Sequence, residues 1–378
     1  MKLVNVLLFS LSISLFACAT DTLLKPKAIK FKQKDQILYL KWFNKNLSHV
    51  IQGSFLPIMD KDNTIYATDI KGNFIKLDST DGSIIKKFSI DDDLVSGVAV
   101  SSDMLYVTTK KAKLLAISKF KNQIEWSAQL STIAIEPPQY SQNKVIVKTN
   151  DSIVSCYDAQ NGSLIWLFQR QNPILTLRTN NTMEVNTGGD VMLLGQNSGK
   201  VAIINTNNGV PLFEIPVSIP NGATDIDKIS DVTSRPILID KIMCATTYNG
   251  KLSCIDAVSG NLLWSEPFNS YTQIVSDKEN LYAINDEGLI FAFDLNSGIK
   301  VWSSNEFRYR KLFFPSVVGD FLIVGDIDGN IYAINKLSGA LIDMINTSLH
   351  GGLSYPISND YRVIYQAANG DIAAIYIK

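Results

Sequence analysis

The segment 250-GKLSCIDAVSGNLLW-264 reads as two short strands joined by a tight turn. KLSCID and NLLW have the composition of strands, and the VSG between them is a turn former. Gly260 suits a turn that needs positive φ, and Trp264 sets a large ring at a fixed place on the second strand.

The same word recurs along the chain. Its other copies are 72-GNFIKLDSTDGSIIK-86, 112-AKLLAISKFKNQIEW-126, 152-SIVSCYDAQNGSLIW-166, 199-GKVAIINTNNGVPLF-213, 288-GLIFAFDLNSGIKVW-302 and 329-GNIYAINKLSGALID-343, with a truncated eighth at 370-GDIAAIYIK-378. Seven copies carry Gly or Asn at the turn, at 82, 122, 162, 209, 260, 298 and 339, which gives spacings of 40, 40, 47, 51, 38 and 41. Each copy has a further strand just upstream, such as 64-TIYAT, 145-VIVKT or 321-FLIVGD. About four strands per 40 residues is the period of a propeller blade and not of a sandwich.

The tryptophans fix the register. Trp126, Trp166, Trp264 and Trp302 each end a copy, and the fifth, Trp42, lies in 36-QILYLKWFNK. The last copy lacks its final strand and the first strand has no copy, so residues 36–45 are expected to complete the blade begun at 363–378. The expected fold is therefore all-β: an eight-bladed β-propeller of four-stranded antiparallel blades over 36–378, its last blade closed by the N-terminal strand. The recurrent Asp78, Asp158, Asp256 and Asp294 at one turn position are read as caps of their own turns, because a catalytic group is needed once.

Ahead of the propeller, Met1-Lys2 and the apolar run LVNVLLFSLSISLFA have the form of a signal peptide over 1–17. The run ends in 15-LFAC-18, which resembles the bacterial lipobox, with Phe16 larger than the residue usual there. That resemblance implies cleavage before Cys18, lipidation of Cys18, and sorting to the outer membrane, since Ala19 is not the Asp associated with inner-membrane retention. An ordinary secretory signal cut near Ala17 is the alternative. Residues 18–35 are polar, lysine-dotted and aperiodic, and read as a flexible tether.

Thirty-five basic and 36 acidic residues leave a net charge of −1, without the basic excess of a nucleic-acid binder. Two histidines far apart, His49 and His350, supply poorly any zinc site or His-centred catalysis. After Cys18 the cysteines are Cys156, Cys244 and Cys254, an odd number that argues against a disulfide framework. Cys156 and Cys254 share a repeat position that is mostly small and apolar elsewhere, so both are expected to be buried packing residues.

The repeated word, A-x-D-x-x-[ST]-G-x-x-x-W in outline, resembles the repeat of pyrroloquinoline-quinone (PQQ) dehydrogenases, which are also eight-bladed propellers. Their chemistry requires a calcium cage, a base and in many members a Cys-Cys pair. This chain has no such pair, and its inter-blade loops are too short for the usual lid. No cofactor and no metal are expected.

If the repeats are scaffold, function belongs where they are interrupted. The two long spacings place inserts at 169-QRQNPILTLRTNNTMEVNTGG and 214-EIPVSIPNGATDIDKISDVTSRP. Both follow the same strand of successive blades, so they should emerge side by side on one face. Leu175, Leu177 and Arg178, near Asp225, Asp227 and Asp231, have the composition of a protein-binding hot spot. The alternative is that the leucines cover the blade tops and Arg178 pairs with an Asp of the chain. Taken together, the lipobox, the propeller, L-x-L-R in the first insert and I-D-x-I-S-D-V in the second resemble the BamB family, lipoprotein subunits of the β-barrel assembly machinery. The resemblance implies a non-enzymatic scaffold whose L-x-L-R and acidic loops dock to the periplasmic POTRA domains of BamA. It carries the partner role to Leu175, Leu177, Arg178 and Asp231, with nascent outer-membrane proteins as further candidate partners. Where the family has a second Asp, this chain has Thr233, which removes one carboxylate from the patch. A PQQ-dependent dehydrogenase and a peptidoglycan- or polysaccharide-binding propeller are the alternative readings, the latter through Tyr309 with Arg308 and Arg310 in 306-EFRYRKLFF.

Overall fold

The computed structural model describes residues 25–29, 31–32, 35–51, 53–177, 182–221 and 223–378. The signal segment, Cys18 and Arg178 lie outside the described residues. Strands pair only into eight four-stranded antiparallel sheets, the blades of a propeller. Blade 5 shows the pattern: strands a to d, from the axis outward, are Ile237–Ile239, Ile242–Thr246, Gly250–Asp256 and Leu262–Phe268. Strands b and c are buried on both faces, which is why they are continuous runs of Ile, Met, Cys, Ala and Leu. Strand d is mostly exposed and buries only Trp264 and Phe268.

Blade 8 closes the ring as the register predicted. Leu38–Asn44 is its outermost strand, paired with Ile372–Ile377, and Trp42 lies opposite Ala374 just as Trp264 lies opposite Cys254. Asp343 of blade 7 fastens the start of this strand, accepting the N–H groups of Ile37 at 2.7 Å and Leu38 at 2.8 Å.

The tryptophans hold neighbouring blades together. In blade 5 one extra residue, Leu263, bulges strand d between the Ile255 and Cys254 pairings, which turns Trp264 toward blade 6. There its indole N–H donates to the carbonyl of Leu295 at 2.8 Å and its ring covers Gly298. The same bond runs from Trp42 to Ser79, Trp126 to Ala159, Trp166 to Thr206 and Trp302 to Lys336. The glycines under these rings are Gly82, Gly162, Gly209 and Gly339. The turn glycine therefore has two tasks: a positive φ, and room for the ring of the preceding blade. Gly260 has only the first, because the preceding blade offers Phe213, which stays 47% exposed, and nothing approaches Gly260 within 4 Å. The recurrent aspartates cap their own turns: Asp256 accepts the N–H groups of Val258 and Ser259, both at 2.8 Å.

Two expectations are corrected. Cys244 and Cys254 form a disulfide, and among the described residues Cys156 alone is free, and buried. The reason is register: Cys244 and Cys254 face each other across strands b and c of blade 5, with Cα atoms 4.2 Å apart. Part of the segment expected to be a free tether is also docked. Lys27 donates its N–H to the Arg308 carbonyl at 3.1 Å, and Ile29 packs against the apolar cluster between blades 6 and 7.

The two turn glycines predict unequal costs. Gly260→Ala should lose only the left-handed backbone preference, about 1–2 kcal/mol. Gly298→Ala should lose that and a further ~1–3 kcal/mol of overpacking, since its methyl would fall 2.5 Å from the Trp264 ring. Urea unfolding of both variants measures the difference; equal losses would contradict the ring-on-glycine lock.

Candidate functional site

The two inserts are the connections from strand d of one blade to strand a of the next, blade 3 to 4 and blade 4 to 5, and so share one face of the ring. The first leaves blade 3 after Phe168. Arg170 lies over the Phe168 ring at 4.7 Å and pairs with Glu214 of blade 4 at 2.7 Å. Asn172 donates to the Asp151 carbonyl at 3.0 Å. Ile174 is then 93% exposed and Leu175 43%, while Leu177 is half-buried.

The second insert has an exposed tip and a buried base. At the tip Thr224 and Asp227 cap each other, and these hydrogen bonds hold Asp227 below the usual carboxylate range. Ile219 and Ile226 are exposed there. Toward the base Ser230, Asp231, Val232 and Thr233 are buried and sewn between two blades. Val232 donates to the Gln196 carbonyl of blade 4 at 3.1 Å, and the Asp231 carbonyl accepts from Tyr248 of blade 5 at 2.9 Å.

One contact joins the inserts: the Leu177 N–H donates to Oδ2 of Asp231 at 2.5 Å. Asp231 is thus a strut and not an exposed acidic charge, which changes how it can serve a partner. Its other oxygen has no hydrogen-bond partner among the described residues. Burial pushes its carboxyl up to about 6, against the pull of the Leu177 N–H and of Lys148. Thr233, at the position of the missing carboxylate, is inside the wall, where its hydroxyl donates to the Ser270 carbonyl at 2.6 Å. Of the sequence-nominated residues, Leu175, Leu177 and Asp231 are brought together, and Asp225 and Asp227 stand at the exposed tip.

Beneath Leu177 lies a pair that the sequence reading did not single out. Glu136 is buried and Lys148 nearly so, their charged groups 3.9 Å apart. Glu136 accepts the Met183 N–H at 2.7 Å and the Thr182 hydroxyl at 3.2 Å, and Lys148 also reaches Thr182. Burial lowers the Lys148 ammonium despite Glu136 and Asp231. Glu136 and Lys148 thereby anchor the C-terminal end of the first insert. The signal was available: at this place on strand b the other blades have Thr68, Thr108, Gly195, Thr246, Ile284, Gly325 and Gln366, none of them charged.

The ring encloses a channel cavity of about 420 Å³, lined by groups including Pro57, Glu136, Tyr140, Glu184, Arg235 and Tyr355. Arg235 is committed to Glu184 at 3.0 Å and stacks over Tyr355 at 4.8 Å. A quinone bearing several carboxylates needs a surplus of cations, whereas this lining has two carboxylates and one paired guanidinium. It does not fit PQQ. Among the described residues no group of three His, Cys, Asp or Glu is placed to hold a metal. No helix among them is long and apolar enough to cross a membrane.

Comparison with known proteins converges on one family. A family model described as outer membrane protein assembly factor BamB matches residues 71–304, which contain both inserts. The BamB of Shewanella oneidensis is 26% identical over 271 residues, 72% of this chain and 68% of the relative. In shape, the crystal structure of BamB from Moraxella catarrhalis covers 89% of this chain and 100% of its own, with a TM-score of 0.78 at 22% identity. A quinohemoprotein alcohol dehydrogenase from Comamonas testosteroni shares the fold at a TM-score of 0.69 and 13% identity, covering 92% of this chain and 78% of its own.

Two outcomes follow from this geometry. Since the folded-state pKa of Asp231 is raised from 3.8 to about 6, its ionised form opposes folding, and that cost shrinks as pH falls from about 6 toward 3.8. Carboxyl-detected NMR should place its titration near 6, and a value below 4.5 would contradict the burial. Reduction of Cys244–Cys254 should cost about 2–3 kcal/mol. It should also speed amide exchange at Tyr248, inside the closed loop and bonded to Asp231; unchanged exchange would separate the disulfide from the insert.

Proposed function

The chain belongs to the family of the outer membrane protein assembly factor BamB, and on that premise we propose that it is a non-enzymatic scaffold of the β-barrel assembly machinery that docks to the POTRA domains of BamA. One observation carries the reading: the two inserts stand side by side on one face, joined through the Leu177–Asp231 bond, within the family-matched span. Leu175, with Ile174 beside it, offers apolar anchor area; Leu177 lies at the edge of that surface. Arg178 supplies a guanidinium for a carboxylate of the partner, the geometry in which arginine outperforms lysine. Asp231 acts from inside, fixing the loop so that less ordering entropy is lost on docking.

Lipidation of Cys18 would tether this scaffold to the periplasmic side of the outer membrane. Several acyl chains on one residue give the stable anchoring that a single chain does not. Nascent outer-membrane proteins are a further candidate partner. The quinoprotein alternative shares the fold but meets a channel with the wrong charge for its cofactor.

Co-purification from detergent-solubilised membranes tests the docking site. The Leu175→Ala, Arg178→Ala double variant should bind BamA at least ~30-fold more weakly and recover correspondingly less of it than the wild type, because two anchors of ~1–2 kcal/mol each are removed. Wild-type recovery with a folded propeller would remove the site assignment. Stoichiometric binding of PQQ with calcium in a calorimeter would instead favour the dehydrogenase.

A further inference from the structure

The loop 305–311 has no part in the docking surface, and its construction asks for an explanation. Tyr309 holds a left-handed φ of 63°, uncommon for an aromatic residue, while its N–H donates to the Glu287 carbonyl at 2.6 Å. Arg308 pairs with Glu287 at 2.9 Å, and Arg310 with the buried Asp326 at 3.3 Å. The loop is thereby fixed, and what it grips is the N-terminal segment. The Lys27 N–H donates to the Arg308 carbonyl at 3.1 Å, and the Lys27 carbonyl accepts from the Arg310 guanidinium at 3.3 Å. The Lys27 ammonium reaches Asn305 at 3.1 Å, and Ile29 joins the cluster containing Phe307 and Leu312. These contacts place residues of the expected tether on the blade 6–7 connection. That is a strand d to strand a connection like both inserts, and so lies on their face of the ring.

We propose that residues 25–29 are a strap that turns this face toward the membrane carrying the anchor. The proposal rests on the lipidation of Cys18 put forward above. Its force is in lengths. Were residues 18–35 free, the 18 of them could extend about 60 Å and the propeller could swivel. With Lys27 clamped, only the eight residues 19–26 lie between Cys18 and the clamp, a reach of about 30 Å. That is well short of the ~50 Å breadth expected for a domain of this size, and a strap leaving the clamped face must round the rim of the ring before the opposite face can meet the bilayer, so the clamped face is the one held toward it. Attraction to anionic lipid is not the cause. Arg308 and Arg310 are already paired with carboxylates, and the orientation comes from the shortness of the strap.

The test uses the full-length lipidated protein in vesicles of phosphatidylcholine alone, with an acceptor dye on a lipid headgroup. Donor dyes are attached through Ile226→Cys, on the insert face, or Asn207→Cys, in the strand c to d turn at the opposite face. Energy transfer from 226 should exceed that from 207 at least twofold. Twenty Gly/Ser residues inserted between 24 and 25, or Ile29→Asp to undock the strap, should bring the two sites to parity. Parity in the unmodified chain, when the protein floats with the vesicles, overturns the proposal. Failure to float removes the anchor reading and the proposal with it. On the soluble mature chain the Lys27 amide should exchange at least tenfold more slowly than an unstructured amide; free exchange there overturns the strap and leaves the anchor reading standing.

Discussion

Each blade of this propeller is a twisted sheet that cannot bury its own faces, so the structure depends on what joins one blade to the next. That joint is an indole: its N–H satisfies a carbonyl in the neighbouring turn while its ring lies on a glycine of the same turn. Ring area and a hydrogen bond act at one point, which fixes the angle between blades as well as holding them. A tryptophan on one blade therefore demands a glycine on the next. Where blade 1 ends its word in Lys86 instead, the following turn carries Asn122, itself in a left-handed conformation at φ 56° and with no ring to accommodate.

Two of the three seams without an indole are secured by other means. Between blades 7 and 8 the place of the tryptophan is taken by Asp343, whose carboxylate holds the backbone of the closing strand. Between blades 4 and 5 the exposed Phe213 leaves Gly260 uncovered, and the second insert does the joining. Val217 and Val232 enter the apolar cluster of that seam, while Val232 and Asp231 bond to blades 4 and 5 respectively. The candidate docking surface is thus built on the seam that the repeat leaves open. Loop and joint are one piece of chain, so a change at the base of the insert acts on both.

Much of this was legible in the residues because it is periodic. The Trp–Gly alternation gave the blade count, and the unmatched strand around Trp42 gave the closure. The two late repeats located the inserts. What stayed hidden is aperiodic and depends on register or burial. Cys244 and Cys254 occupy different positions of the repeat, and only the pairing of strands b and c sets them face to face. Asp231 reads as surface acid in an insert rich in Asp, yet the threading of that insert buries it under Leu177. Lys27 and Ile29 lie in an aperiodic stretch whose binding loop is nearly 280 residues away in sequence. Lys148 was the exception, a charge standing where every other blade is neutral, and comparison of the repeats at that one position would have marked it.

Closure by the N-terminal strand has a consequence in time. Leu38–Asn44 is among the first segments of the propeller to be synthesised, and its partner Ile372–Ile377 is the last. Loop entropy alone does not make this costly, since each doubling of loop length adds only about 0.6 kcal/mol. The cost is in waiting: until the C-terminus appears, blades 1 and 7 lack the neighbour between them and two strand edges stand open. An unfinished ring is the form of this protein most prone to aggregate, and every chain passes through it. The strand that closes the ring is among the first made and the last to be paired.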